Sequence, residues 1–343
     1  MKDMTAETMM EYLYDLPEQF ASSLKLDLAF VSGYRKDYRQ IVVSGMGGSA
    51  IGGDILRTYA AGRAKIPVTV VRDYHLPAFV NQDTLFLAVS YSGNTEETLS
   101  AYSEAREKKA SIICITTGGK LKAQAEADGY AVVGIPAGLV PRAATGYLFA
   151  PLVLLLEKLG IVADVHQELE ETVTVLRDMR DKLQPGAPVS TNQARIIARQ
   201  LKDSLPVIWG TAGMSEVAAQ RWKAQINENA KCPAYYNVFP ELNHNEIVGF
   251  EAPTQLLSSL SCIILRDRYD HERVQRRIEI SKDIIRERVK SIVEVNSQGE
   301  SYLARFYSLV YSGDYASVYL ALEYGVNPTP VAVIDYLKAE LGK

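Results

Sequence analysis

Val89-Ser90-Tyr91-Ser92-Gly93-Asn94-Thr95-Glu96-Glu97-Thr98 follows an apolar run, Leu85-Phe86-Leu87-Ala88-Val89, and opens an amphipathic helical pattern from about Glu96 to Lys108. The reading is a buried strand, a turn and a helix. Hydroxyls at positions 90, 92 and 95 then stand beside the free N–H groups of a helix start, with no bulk at Gly93. That arrangement favours a phosphate dianion through hydrogen bonds and the helix dipole. The competing account is a plain helix start, in which Ser92, Asn94 or Thr95 caps the helix and the other hydroxyls are incidental.

Upstream, Ile41-Val42-Val43 reads as a short strand ending in Ser44-Gly45-Met46-Gly47-Gly48-Ser49, with a helix from about Ala50 to Ala61. Further strands are expected at 68–71, 111–115 and 131–135, with a helix at 121–127. Apolar strands alternating with helices predict a parallel sheet covered on both faces, with ligands at the carboxyl ends of its strands. Helices at 148–159 and 169–183 close this first domain, and Gln184-Pro185-Gly186-Ala187-Pro188 reads as the linker. Beyond it the alternation resumes, with strands at 206–209, 235–239, 256–265 and 292–295 and helices at 192–203, 216–229, 273–288 and 302–324. The expectation is an α/β chain of two doubly wound domains, 1–184 and 185–343, of related layout. The second half has no counterpart of the 90–98 turn, so one phosphate site per chain is expected.

The chain's 343 residues suffice for two buried cores. A net charge of −4 without a basic run argues against a nucleic-acid surface. Cys114, Cys232 and Cys262 show no metal-ligand spacing; the first and last sit in apolar runs and read as core, which suits a reducing cytoplasm. A polar, acidic N-terminus and the lack of long apolar stretches give no sign of a signal peptide or a membrane span. Gly45-Met46-Gly47-Gly48-Ser49 resembles part of a dinucleotide fingerprint, and Asp73 is available as the acidic residue that such a site wants at the end of the second strand. Two hydroxyl-bearing turns suit one phosphorylated sugar better than a nicotinamide dinucleotide.

The turns at 45–53 and 90–98 resemble those of the sugar isomerase (SIS) domain family, which binds phosphosugars. Pro141-Arg142-Ala143-Ala144-Thr145-Gly146-Tyr147, Asn227-Glu228-Asn229-Ala230-Lys231, Glu241-Leu242-Asn243-His244-Asn245-Glu246 and Pro330-Val331-Ala332-Val333-Ile334-Asp335-Tyr336-Leu337-Lys338 extend the likeness. Together they resemble the bifunctional phosphoglucose/phosphomannose isomerases, in motif order over nearly the whole chain. The resemblance implies interconversion of glucose 6-phosphate and mannose 6-phosphate with fructose 6-phosphate through an enediol, with neither cofactor nor metal. It implies Glu228 as the base and His244 as the ring-opening acid/base, reaching a neighbouring subunit's site in a homodimer. Arg142 is the implied stabiliser of the enediolate, and Lys338 reaches sugar hydroxyls or the ring oxygen. Ser49, Ser90, Ser92 and Thr95, with the Gly48 backbone, are the implied phosphate ligands. His244 lies among Asn243, Asn245 and Glu246, a setting expected to fix an imidazole tautomer. Other outcomes stay open at this point: a non-catalytic phosphosugar sensor, or an SIS enzyme of amino sugars.

Overall fold

A computed structural model describes residues 5–342. The chain divides into two units. One comprises Asp15–Thr174 with Glu300–Ala304; the other comprises the described residues up to Tyr14, Val175–Gly299 and those from Arg305 onward. Two helices, α1 (Ala6–Tyr14) and α2 (Leu16–Ser23), precede the first sheet. Strands β1 (Gln40–Ser44), β2 (Val68–Val71), β3 (Thr84–Val89), β4 (Ser111–Thr116) and β5 (Ala131–Gly134) follow, interleaved with α3 (Gly47–Ala60), α4 (Glu96–Glu107) and α5 (Gly119–Ala127). Helices α6 (Thr145–Lys158) and α7 (Val165–Leu183) come next.

All pairings in the first sheet are parallel, in the order β2-β1-β3-β4-β5. β1 and β3 are buried on both faces, which explains why they read as unbroken apolar runs rather than alternating ones. The connection from β2 to β3 carries no helix; Leu76 and Val80 turn inward there and join Val42, Phe86, Ile112 and Cys114 in the core. The order reverses at β1, whose neighbours are β2 on one side and β3 on the other. The crevice between the carboxyl ends of β1 and β3 is therefore the topological switch point, where open α/β sheets take ligands.

The second unit continues with α8 (Gln193–Leu201), β6 (Leu205–Thr211), α9 (Met214–Ala230), β7 (Tyr235–Phe239), α10 (Thr254–Leu257), β8 (Leu260–Arg266), α11 (Glu272–Ile285), β9 (Ser291–Asn296), α12 (Tyr302–Glu323) and α13 (Ala332–Leu341). Its sheet is also parallel, in the order β7-β6-β8-β9. The two doubly wound sheets expected from the sequence are both present. One strand is corrected. The apolar run from Leu256 divides into the short helix α10 and a strand that starts at Leu260, because Pro253 precedes a helical turn that buries Leu257 and exposes Leu256.

Within this unit α9 is fixed against α12 by directional contacts. Asp314, buried, takes both prongs of the buried Arg221 guanidinium, at 3.1 and 2.7 Å, and accepts from the Gln225 amide at 2.9 Å. One turn further along α9, the Asn229 amide donates to Ser317 Oγ at 2.9 Å. The Trp222 indole donates to Leu309 O at 2.8 Å and lies where a Cβ on Gly313 would come within 2.3 Å of the ring. The spacing 221, 225, 229 keeps these polar groups on one helix face. Such a pairing adds little net stability but specifies a single register.

Candidate active site

The two turns anticipated from the sequence meet at the β1/β3 switch point. An added Cβ on Gly45 would stand 2.8 Å from Val89 O, so the strand ends touch. Across them Tyr91 N donates to Ser49 Oγ at 3.3 Å. Ser49 sits in the first turn of α3, which begins at Gly47, so its hydroxyl is carried by the helix itself. Neither α3 nor α4 has a side-chain cap at its N-terminus. Thr95, at the N-cap of α4, shares a hydrogen bond instead with Ser90 Oγ at 2.9 Å, and Ser90 Oγ accepts from Gly93 N at 3.1 Å. The capping account therefore fails for Thr95. It fails for Ser92 as well, an exposed residue whose Oγ accepts from Asn94 N at 3.2 Å inside the turn, ahead of the helix, leaving its own proton to donate.

Gly93 has φ 67°, and a Cβ there would come within 1.8 Å of Gly118 O. The turn closes this tightly because only glycine combines that backbone with that approach. Gly48 does related work. A Cβ on it would stand 2.8 Å from Pro141 O and 3.2 Å from the Arg142 Cα, so the start of α3 rests directly on the Arg142 segment. Arg142 is only 4% exposed, which rules out an ordinary surface ion pair. Gly48, Ser49, Ser90, Thr95 and the Arg142 backbone thus form one cluster in this unit.

Two residues that hold the cluster were not anticipated. The Tyr91 hydroxyl donates to Pro136 O at 3.0 Å and accepts from Leu139 N at 3.0 Å, fixing the approach to Arg142. Buried Gln19 of α2 clamps the far side, donating to Ala143 O at 2.7 Å and accepting from Gly146 N at 3.1 Å. For Tyr91 the signal was its place inside the 90–98 turn, directly after β3. Gln19, on a helix far away in sequence, offered none.

Glu228, His244 and Lys338 belong to the second unit. Glu228 is half-buried in the last turn of α9. Its neighbours are pinned: Asn227 donates to Cys232 O at 2.8 Å and Asn229 to Ser317. His244 ends a short 3-10 turn, Glu241–His244, and is exposed. The expected tautomer-fixing setting is not formed within the described residues. Asn243 turns to Ser281 Oγ at 2.8 Å, Asn245 to Glu241 at 2.9 Å, and Glu246 accepts from the Trp209 indole at 2.7 Å and the Asn237 amide at 2.5 Å. Only Asn245 finds its partner within the segment; Asn243 and Glu246 are drawn to α11 and to strands β6 and β7. Lys338 lies on α13, none of whose described residues is buried.

The switch point of the second sheet, between β6 and β8, is built differently. Asp267 follows β8 and is bound by Arg305 Nε at 2.9 Å and Ser297 Oγ at 2.6 Å, while its N–H donates to Asp270 at 3.1 Å. Burial, with Asp267 adding its charge, raises the Asp270 carboxyl above its ordinary range. At the start of α9 the Glu216 carboxylate accepts from Gly213 N at 3.1 Å. A carboxylate, Asp267, thus follows β8 where a hydroxyl, Ser90, follows β3, while the first turn of α9 keeps a hydroxyl in Ser215, whose Oγ accepts from Thr211 N at 2.7 Å.

Two family models match this chain: the SIS domain over residues 36–136, and the bacterial phospho-glucose isomerase C-terminal SIS domain over residues 190–341. A protein of Caldicellulosiruptor bescii named bifunctional phosphoglucose/phosphomannose isomerase is 50% identical over 98% of this chain and 99% of its own length. The chain belongs to that isomerase family. A second member, from Aquifex aeolicus and of the same name, is 36% identical over 97% of this chain and 99% of its own. Among solved structures, the C-terminal domain of glucosamine-fructose-6-phosphate aminotransferase from Francisella tularensis superposes with a TM-score of 0.74 at 16% identity. It covers 94% of this chain and 98% of its own, a likeness of fold. The family membership accounts for both sheets being SIS-type. Among the described residues no helix is long and apolar enough to cross a membrane, and no cluster of three or more His, Cys, Asp or Glu side chains could hold a metal ion.

Proposed function

We propose that this chain interconverts glucose 6-phosphate and mannose 6-phosphate with fructose 6-phosphate. The observation that carries the reading is its end-to-end relationship, at 50% identity, to an isomerase named for both aldoses. The chemistry moves a proton between C1 and C2 through an enediol. It needs an anion grip, a base, an acid/base to open the ring, and a fixed positive charge for the enediolate.

The grip falls to Ser49, Ser90, Ser92 and Thr95 with the Gly48 backbone. Their hydroxyls and two helix starts without side-chain caps supply donors and positive dipole ends. Arg142 supplies the fixed charge, since its guanidinium stays protonated while an enediolate forms and collapses. Glu228 is the base, and a carboxylate enclosed by a bound sugar becomes a stronger one. His244 opens the ring. Its exposure and lack of a local orienting partner suit a residue that acts in a neighbouring copy's site, which makes the active species a homodimer. Lys338 meets a sugar hydroxyl or the ring oxygen. Serving both aldoses requires reprotonation of C2 on either face. Three free cysteines and hexose phosphate substrates fit a reducing cytoplasm.

The test is a coupled assay of fructose 6-phosphate formation from each aldose, with and without chelator. Turnover of both, unchanged by chelation, is expected. No turnover of either, with tight phosphosugar binding, returns the sensor reading. Glu228→Gln is expected to abolish hydrogen isotope exchange at C2 while leaving affinity intact. Mixing Glu228→Gln and His244→Ala subunits is expected to restore activity; failure after verified subunit exchange refutes the shared site.

A further inference from the structure

Lys231 closes the Asn-Glu-Asn-Ala-Lys motif, yet the chemistry above gives it no role. It follows the last residue of α9 in the left-handed conformation, with φ 55° and ψ 26°. That turn swings its side chain back under the helix end. Its ammonium then donates to three backbone carbonyls: Glu228 O at 2.5 Å, Pro330 O at 2.7 Å and Pro328 O at 3.2 Å. A cation suits the negative end of a helix dipole, and charge-assisted bonds are the stronger kind.

Two of these acceptors lie on the segment that leads into α13. The same segment is anchored once more by buried Thr329, whose hydroxyl donates to Thr5 O at 2.7 Å and whose N–H donates to Asn327 Oδ1 at 3.0 Å. Prolines at 328 and 330 fix φ, so a pin on their carbonyls holds a stiff stalk. α13 itself buries none of its described residues; Val333 is 83% exposed and Tyr336 67%. Its placement comes from the stalk, not from packing of its own.

We propose that Lys231 is a positioning residue that ties the Glu228 turn to the stalk of α13 and so sets where Lys338 is delivered. This rests on the roles proposed above for Glu228 and Lys338. The test is a double-mutant cycle on the full-length enzyme. Lys231→Met is expected to lower kcat by about 10–100-fold with KM within about twofold, since a misplacement near 1 Å costs up to about that factor. In a Lys338→Met background the same change is expected to cost less than about threefold more, because it acts through an amine already removed. Thr329→Val, which releases the second anchor, is expected to show the same kcat loss and the same dependence on Lys338, and it reports even if Lys231→Met folds poorly. Losses that multiply in both cycles, or full kcat in both single variants, overturn the proposal while the role of Lys338 stands. A Lys338→Met enzyme with normal kcat sinks the role of Lys338 itself and the proposal with it.

Discussion

Removing the Ser90 hydroxyl tests the proposed phosphate cradle with little damage to the fold. Ser90 Oγ makes two contacts, with Thr95 Oγ1 at 2.9 Å and from Gly93 N at 3.1 Å. Gly93 N also donates to Ser90 O at 3.2 Å, so Ser90→Ala leaves the turn a backbone bond and costs about 1 kcal/mol of stability. A hydrogen bond to a charged group is worth about 1.5–3 kcal/mol, so KM for either aldose phosphate is expected to rise about 10–150-fold. The phosphate is held alike in ground and transition states, so kcat is expected to stay within about threefold. Inorganic phosphate used as a competitor should lose affinity by a similar factor. Because the hydroxyls of Ser90 and Thr95 are joined by a hydrogen bond, the Ser90→Ala, Thr95→Val pair should fall short of additivity by at least about 0.5 kcal/mol. The assay is initial rate against substrate for all four cycle members, with Tm recorded for each. Unmoved KM and phosphate inhibition, in variants that retain their Tm, would place the anion elsewhere.

Other expectations follow from particular contacts. Gly48→Ala drives a methyl to 2.8 Å from Pro141 O and is expected to displace the Arg142 segment, cutting kcat by up to about 10²-fold; unchanged kcat removes Arg142 from a geometry-sensitive role. Burial pushes the Cys114 and Cys262 thiols up to about 12, and burial also raises Cys232. Native protein at neutral pH should therefore resist maleimide at 114 and 262, with mass-mapped label appearing first at the half-buried Cys232; early label at Cys114 would contradict the packing. The Asp270 carboxyl is raised by burial, so the unfolded chain gives up this proton before the folded one does. Stability contributed here is present below the ordinary carboxylate range and is lost as pH rises through the raised one. Asp270→Asn should thus raise Tm at neutral pH relative to the parent and lose that advantage in acid; an equal shift at both pH values refutes the assignment.

The first sheet was legible because β1 and β3 are buried on both faces and end in glycine- and serine-bearing turns. The meeting of those two turns was legible as well, made by Tyr91 N on Ser49 Oγ, although Ser49 proved to ride inside α3. Less could be read where an apolar run served two structures in succession, as at Leu256–Leu265, since a short run has no period long enough to separate a helix turn from a strand. The neighbours of His244 misled for another reason. Adjacency in sequence placed Asn243, Asn245 and Glu246 beside the imidazole, but a 3-10 turn points successive side chains in different directions, toward Ser281, Glu241 and the Trp209 indole. Gln19 and the stalk contacts of Lys231 join segments 97 to 127 residues apart, and no local pattern encodes such pairings.

The bolting of α9 to α12 bears on how substrate preference can drift within such an enzyme. A helix gripped by a forked ion pair, an amide, an indole seated on a glycine and a terminal Asn–Ser bond has no neighbouring resting place a fraction of a turn away. With the proposed base Glu228 carried on that helix, mutations that retune glucose against mannose would have to reshape the walls around the sugar rather than shift the carboxylate by small steps.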